Sequence, residues 1–428
     1  MKRRTFFKTT LPVVLPALVN GFSLRAWAHS PLLQAAPRGV GEDRILVLIQ
    51  LSGGNDGLNT VIPLEYYPAY LKARPNIAIP EEKILRLEGY DQTGLNPAMP
   101  ELQQLFGEGK LAILQGVSYP QPNFSHFRAT DIWLTGADAG QILPTGWAGR
   151  YLNDIYPHWP QDYPNPSMPD PLAIQIGGIV SPALQGPTLT MGMAISNPNS
   201  FYNLLNDRQA EVADTRAGDQ LAYIREMAVK TDQYAGVIKK AAQKVTKQSD
   251  LYPAAGKNPL ADQLKIVARL VAGGLKTRFY LVSMGGFDTH ARQVDTTDTT
   301  TGTHAKLLAK LSEAVHAFQD DLQFLKVDDR VVGMTFSEFG RRIQSNASGG
   351  TDHGAAAPVF VFGSSVQGGI IGGNPVWPEK LTVNDNIAMQ HDFRAVYGSL
   401  LEKWFLADAS ETAAVLLKDY PVLPLVRG

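Results

Sequence analysis

Residues 44–64 read RILVLIQLSGGNDGLNTVIPL. Six of the first eight residues are apolar, and the run stops abruptly at Ser-Gly-Gly-Asn-Asp-Gly. Periodicity alone allows either a core strand or a piece of buried helix. The Val/Ile content and the glycine stop favour a strand of a parallel sheet covered on both faces. In such sheets the ligand crevice lies just beyond the carboxyl ends of the strands. Asp56 stands in that place. It reads either as a metal ligand or catalytic acid, or as the ordinary Asp-Gly of a turn.

Working outward, the same alternation recurs. Strands are expected at Arg44–Leu51, Lys110–Val117, Leu172–Ile176, Thr277–Met284, Arg330–Phe336 and Pro358–Phe362. Helices are expected at Pro100–Phe106, from Ser125 to Leu134, over Ala217–Gln248, Pro259–Ala272 and Thr303–Leu325, and at a closing Asp392–Phe405. Strands alternating with helices over about 400 residues argue for an α/β fold, with a parallel or mixed sheet covered by helices on both faces. There is no internal repeat, low-complexity run or Pro/Ser linker, so residues 29–428 read as a single domain.

The first 28 residues, MKRRTFFKTTLPVVLPALVNGFSLRAWA, carry Arg3-Arg4, a proline-broken apolar stretch and an Ala-x-Ala ending. This reads as a twin-arginine signal handled by the export machinery, with a mature chain from His29 in the periplasm or outside the cell. The stretch is too short and broken to serve as a membrane anchor. Losing its five basic side chains moves the formal net charge from −1 to −6. A mildly acidic chain has no electrostatic reason to bind nucleic acid. The sequence has no cysteine, which excludes disulfides, thiolate metal sites and a cysteine nucleophile.

Five polar clusters stand at strand ends: SGGNDG with Asp56, MGGFDTH with Asp288 and His290, FSEFGRR with Glu338, Arg341 and Arg342, GGTDHGAAAP with Asp352 and His353, and FSHFRATDIW with Ser125, His126, Arg128 and Asp131. Each has an ordinary reading as a turn, helix cap or loop histidine. A parallel sheet, however, brings all such ends to one edge. Several carboxylates and histidines crowded there repel one another unless a cation offsets them. Oxygen donors with imidazole suit Zn, Mn, Mg or Ca. Phosphate-binding Gly-Lys loops, dinucleotide fingerprints, Gly-x-Ser-x-Gly elbows and His-Glu-x-x-His are all absent.

The motifs QLSGGNDGLNTVIP, YPQPNFSHFRATDIWLTG, GGFDTH, TFSEFGRR, GTDHGAA and DFRAVYGSLLEKW, with the N-terminal signal, together resemble an uncharacterised family of twin-arginine-exported bacterial proteins. That family is grouped with the alkaline phosphatase–sulfatase superfamily. The resemblance implies a three-layer α/β/α sandwich with one or two divalent metal ions at the strand ends and a Ser or Thr nucleophile at a helix start. By position it implies metal ligation by Asp56, Asp288, His290, Glu338 and His353, and a nucleophilic Ser125. Two departures stand out. The superfamily's Asp-x-x-x-His is Asp288-x-His290 here, and Glu338 is followed by Phe339 where a histidine is usual. His126, Asp352 or water would have to fill that place, or the centre holds one ion.

On this reading the chain hydrolyses phosphate or sulfate esters of an anionic small-molecule or polymer substrate, with Arg128 and Arg341 clamping the anion. The alternatives are a metal-free serine esterase and a non-catalytic binding or assembly protein that keeps a metal for rigidity.

Overall fold

In the computed structural model the described residues are 43–196 and 233–427. The segment read as a signal and the first part of the helix read at Ala217–Gln248 lie outside them. Along the chain the strands are β1 (Ile45–Leu51), β2 (Val61–Pro63), β3 (Leu85–Leu87), β4 (Tyr90–Leu95), β5 (Leu111–Ser118), β6 (Ala173–Ile176), β7 (Met193–Ile195), β8 (Phe279–Met284), β9 (Val331–Phe336), β10 (Arg341–Ser345), β11 (Thr351–His353), β12 (Ala357–Phe362), β13 (Gly369–Ile371) and β14 (His391–Asp392). The helices are α1 (Gly57–Thr60), α2 (Tyr67–Ala73), α3 (Pro100–Gly107), α4 (His126–Thr135), α5 (Trp147–Ile155), α6 (233–244), α7 (Pro259–Ala272), α8 (Thr303–Phe324), α9 (Phe393–Ser399) and α10 (Ala409–Leu416).

The main sheet has nine strands in the order β13-β5-β12-β9-β1-β8-β6-β7, with β14 also paired to β5. β1 lies at its heart, parallel to β8 on one side and β9 on the other. Its side chains alternate between two apolar layers. Ile45, Val47, Ile49 and Leu51 join the layer under α7 and α8. Leu46 and Leu48 join the layer that holds Trp147 of α5 and Val396 of α9. A strand buried on both faces needs no polar alternation, which is why the sequence shows an unbroken apolar run. Each such side chain contributes about 1.5–3 kcal/mol by leaving water. The architecture is therefore α/β, a mostly parallel sheet between helical layers.

β12 runs antiparallel to both β5 and β9. The segment entering it therefore arrives at the edge where the parallel strands end. That reversal carries the β10–β11 hairpin, and with it His353, to the loops that follow β1, β5, β8 and β9. The hairpin and the small β2-β4-β3 sheet were not read from the sequence, since their strands mix polar, charged and glycine residues in place of an apolar run. The helix read to Gln248 stops at residue 244. Beyond it Gln248 Nε2 and the Ser249 N–H donate to Asp321 on α8, at 2.8 Å each. This tertiary bond outcompetes another helical turn.

Candidate functional site

Asp288, at the end of the loop leaving β8, is the centre of the polar edge. Its Oδ1 lies 3.2 Å from His290 Nε2 and 3.3 Å from His353 Nε2, while Oδ2 lies 3.5 Å from His126 Nε2. His290 Nε2 and His353 Nε2 are only 2.9 Å apart. His126, Asp288 and His353 each place one donor atom within 4.8 Å of the others.

The far side of each imidazole is fixed. His353 Nδ1 donates to the Phe124 carbonyl at 2.8 Å, His290 Nδ1 faces Asp352 Oδ1 at 3.2 Å, and His126 Nδ1 faces Glu338 Oε1 at 2.8 Å. A carbonyl or ionised carboxylate only accepts, so each Nδ1 carries its proton. A neutral ring then turns its lone pair inward at Nε2. Burial holds His353 below the ordinary histidine range, which favours that neutral form. Nitrogens presented in this way beside a carboxylate make an arrangement that a cation among them would relieve. Imidazoles oriented through Nδ1 by an oxygen acceptor are the usual build of a metal site. The residues fit a divalent ion.

Two buried arginines frame this edge. Arg341 donates through Nε to Gly54 O at 2.7 Å, through Nη1 to Thr351 O at 2.8 Å, and through Nη2 to Phe287 O at 3.1 Å and Asp288 Oδ1 at 2.7 Å. Burial raises the proton affinity of Asp288, but the Arg341 hydrogen bond and charge outweigh it, and the carboxyl lies below its usual range. Arg74 gives Nη1 to both oxygens of Asp56, at 2.7 and 2.6 Å, and Nη2 and Nε to the carbonyls of Arg342 and Ile343 at 2.7 and 2.8 Å.

These contacts place the residues read from the sequence. Asp56 is wholly buried and closed by Arg74 and Gln293, so it is not brought to the histidine cluster. Burial pushes its carboxyl up, yet Arg74 brings it below the ordinary value. Glu338 is also buried and stands behind His126, accepting the Gly53 N–H at 2.8 Å as well. It faces His126 Nδ1 at 2.8 Å, on the side of that ring away from Asp288. Arg128 binds Asp131 and the carbonyls of Ala139 and Gln141, and Arg341 is spent on the frame. Both guanidinium groups are bonded to acids and carbonyls of the protein itself. Asp288, His290 and His353 do come together as read. Ser125 is exposed at the N-cap of α4, where its side chain makes no capping bond.

Arg74 was the residue the sequence hid, whereas His126 was read only as one candidate for the place where Phe339 stands instead of a histidine. His126 had a local signal, its place beside Ser125 in FSHF. Arg74 had none, because the pair it forms with Asp56 depends on how α2 packs. Phe339, found where a histidine was awaited, is buried and packs its ring 4.9 Å from that of His126 and 4.5 Å from that of His353.

A family model described as a protein of unknown function (DUF1501) matches residues 184–398, half of the chain. The chain belongs to this family. No curated protein sequence matches it. Among solved structures it is similar to a protein in the alkaline phosphatase superfamily from Vibrio parahaemolyticus, with 11% identity and a TM-score of 0.37 over 88% of this chain and 71% of that one. It is similar to the alkaline phosphatase of the Antarctic bacterium TAB5, with 11% identity and a TM-score of 0.31 over 76% and 92%. It is also similar to a phosphonate monoester hydrolase from Silicibacter pomeroyi, with 9% identity and a TM-score of 0.37 over 85% and 74%. The α/β class of this DUF1501 chain rests on its own sheet order.

Proposed function

We propose that this chain is a metal-dependent hydrolase of phosphate or sulfate esters. The observation that carries the reading is the convergence of His126, His290, His353 and Asp288 beside an uncapping serine. Ser125 lies between Phe124, whose carbonyl is bonded to His353, and His126 itself. A divalent ion on these residues would supply a Lewis acid that favours anionic oxygens. The chain supplies the rest. Ser125 Oγ attacks the phosphorus or sulfur, the ester bond to the alcohol breaks, and the departing alcohol takes up the serine proton. Water then cleaves the Ser125 ester, releases the inorganic acid and returns a proton to Oγ. The first-turn N–H groups of α4, left uncapped by Ser125, favour an anionic substrate. Arg341 keeps Asp288 ionised, and Glu338 holds the ring of His126.

The twin-arginine pattern of residues 1–28 supports export in the folded state to the periplasm or beyond. Among the described residues no helix is long and apolar enough to cross a membrane.

The test is turnover of aryl phosphates, phosphonates and sulfates by the metal-loaded chain. Ser125→Ala is expected to lower kcat by about a thousandfold or more while keeping its metal. Turnover that survives chelation would support the metal-free esterase. Metal-loaded protein inert toward the whole panel would leave a binding or assembly role.

A further inference from the structure

We infer that the centre is built for a single ion of the first-row transition series, and that a protein guanidinium takes up the charge a second ion would have met. This deepens the metal-dependent reading above and rests on it. The donors that converge are three imidazole nitrogens and one carboxylate: His126, His290, His353 and Asp288. Imidazole-rich sets suit Zn, Co, Fe or Ni, whereas Mg and Ca prefer cages of oxygen. His126, Asp288 and His353 each bring one donor atom within 4.8 Å of the other two, and His290 Nε2 lies beside them, 2.9 Å from His353 Nε2 and 3.2 Å from Asp288 Oδ1.

The other acids at this edge are already satisfied. Asp56, fully buried, receives both of its short contacts from Arg74 Nη1 and a further bond from Gln293. Its negative charge is met by a fixed cation with no opening to solvent. Glu338, also buried, takes the Gly53 N–H and His126 Nδ1–H on one oxygen, and its other oxygen lies 3.4 Å from the Ser337 hydroxyl, which donates to the Leu51 carbonyl at 2.7 Å. The Phe339 ring packs on two of the imidazoles and offers no donor on that side. Asp352 is directed to His290 Nδ1 and Asn346, away from the Nε2 atoms. Among the described residues a second ion would find no second set of converging donors.

The experiment is native mass spectrometry of the chelated, dialysed chain refilled with Zn, Co, Mn, Mg or Ca, together with the visible absorption of the Co form. The expected result is one Zn or Co per chain, with Mg and Ca bound at least about 100-fold more weakly. Asp288→Asn and His353→Ala should lose the Co absorption, and Asp56→Asn should keep it. Should Asp56→Asn fail to fold, the pair Asp56→Leu with Arg74→Met removes both charges together and should likewise bind one Co with an unchanged spectrum. Two ions per chain, tight Mg or Ca, or a Co spectrum altered in a folded Asp56 variant would overturn the inference alone. No bound ion of any kind would overturn it together with the metal-dependent reading.

Discussion

Gly53 sits at a φ of +124°, and a Cβ there would stand 2.3 Å from the Asp288 nitrogen and 2.7 Å from the Phe287 carbonyl carbon. Backbone meets backbone at this point, so the turn after β1 tolerates no side chain. Gly53→Ala should cost about 2–4 kcal/mol in urea denaturation through strain and overlap, and should weaken metal binding by shifting Asp288. Arg74→Ala leaves the buried Asp56 charge unpaired and should cost about 3–5 kcal/mol, whereas removing both partners should cost far less. His304 is equally buried and bonded to Asn55 Oδ1 at 3.0 Å. Burial pushes its pKa down to about 4. A histidine depressed in the native state contributes its stability above the unfolded pKa of about 6.5, and loses it as pH falls toward 4. The loss amounts to about 3 kcal/mol. His304→Gln should flatten the dependence of unfolding free energy on pH between those values; an unchanged slope would show that another group governs it.

Two elements, α4 and the β10–β11 hairpin, bring His126 and His353 to the loop that holds Asp288 and His290. An N-cap serine normally contributes about 1 kcal/mol through its side-chain bond, but Ser125 makes none. Ser125→Ala should therefore change the unfolding free energy by less than about 0.5 kcal/mol, which separates a chemical role from a structural one. The hairpin is held from beneath by Arg74 on the carbonyls of β10 and by Arg341 on Thr351 O. These bonds explain how a three-residue strand, too short to be stable alone, presents His353 in a fixed place. The α4 sequence was readable from its helix start and apolar face. The hairpin was not, because its stability comes from two arginines that are remote from it or folded back onto it.

For the whole molecule, an ion bound as proposed would join residues from three separate segments, the start of α4, the loop after β8 and the β10–β11 hairpin, so it should act as a clasp. Chelation should lower the unfolding free energy by about 3–4 kcal/mol relative to protein at 100 to 1,000 times the dissociation constant. Far-UV circular dichroism should stay nearly unchanged, since the buried sheet does not need the ion. A collapse of the sheet signal on chelation would contradict this. The sequence by itself determined the strand–helix alternation, the burial of β1 on both faces, and the local grouping of Asp288 with His290 at a strand end. These follow from side-chain periodicity and turn chemistry, which act over a few residues. Only the tertiary structure decided that Asp56 belongs to Arg74, that Glu338 stands behind His126, and that His353 returns on an antiparallel strand to meet them. Residues far apart in the chain pair by side-chain direction and burial, and neither is written in local spacing.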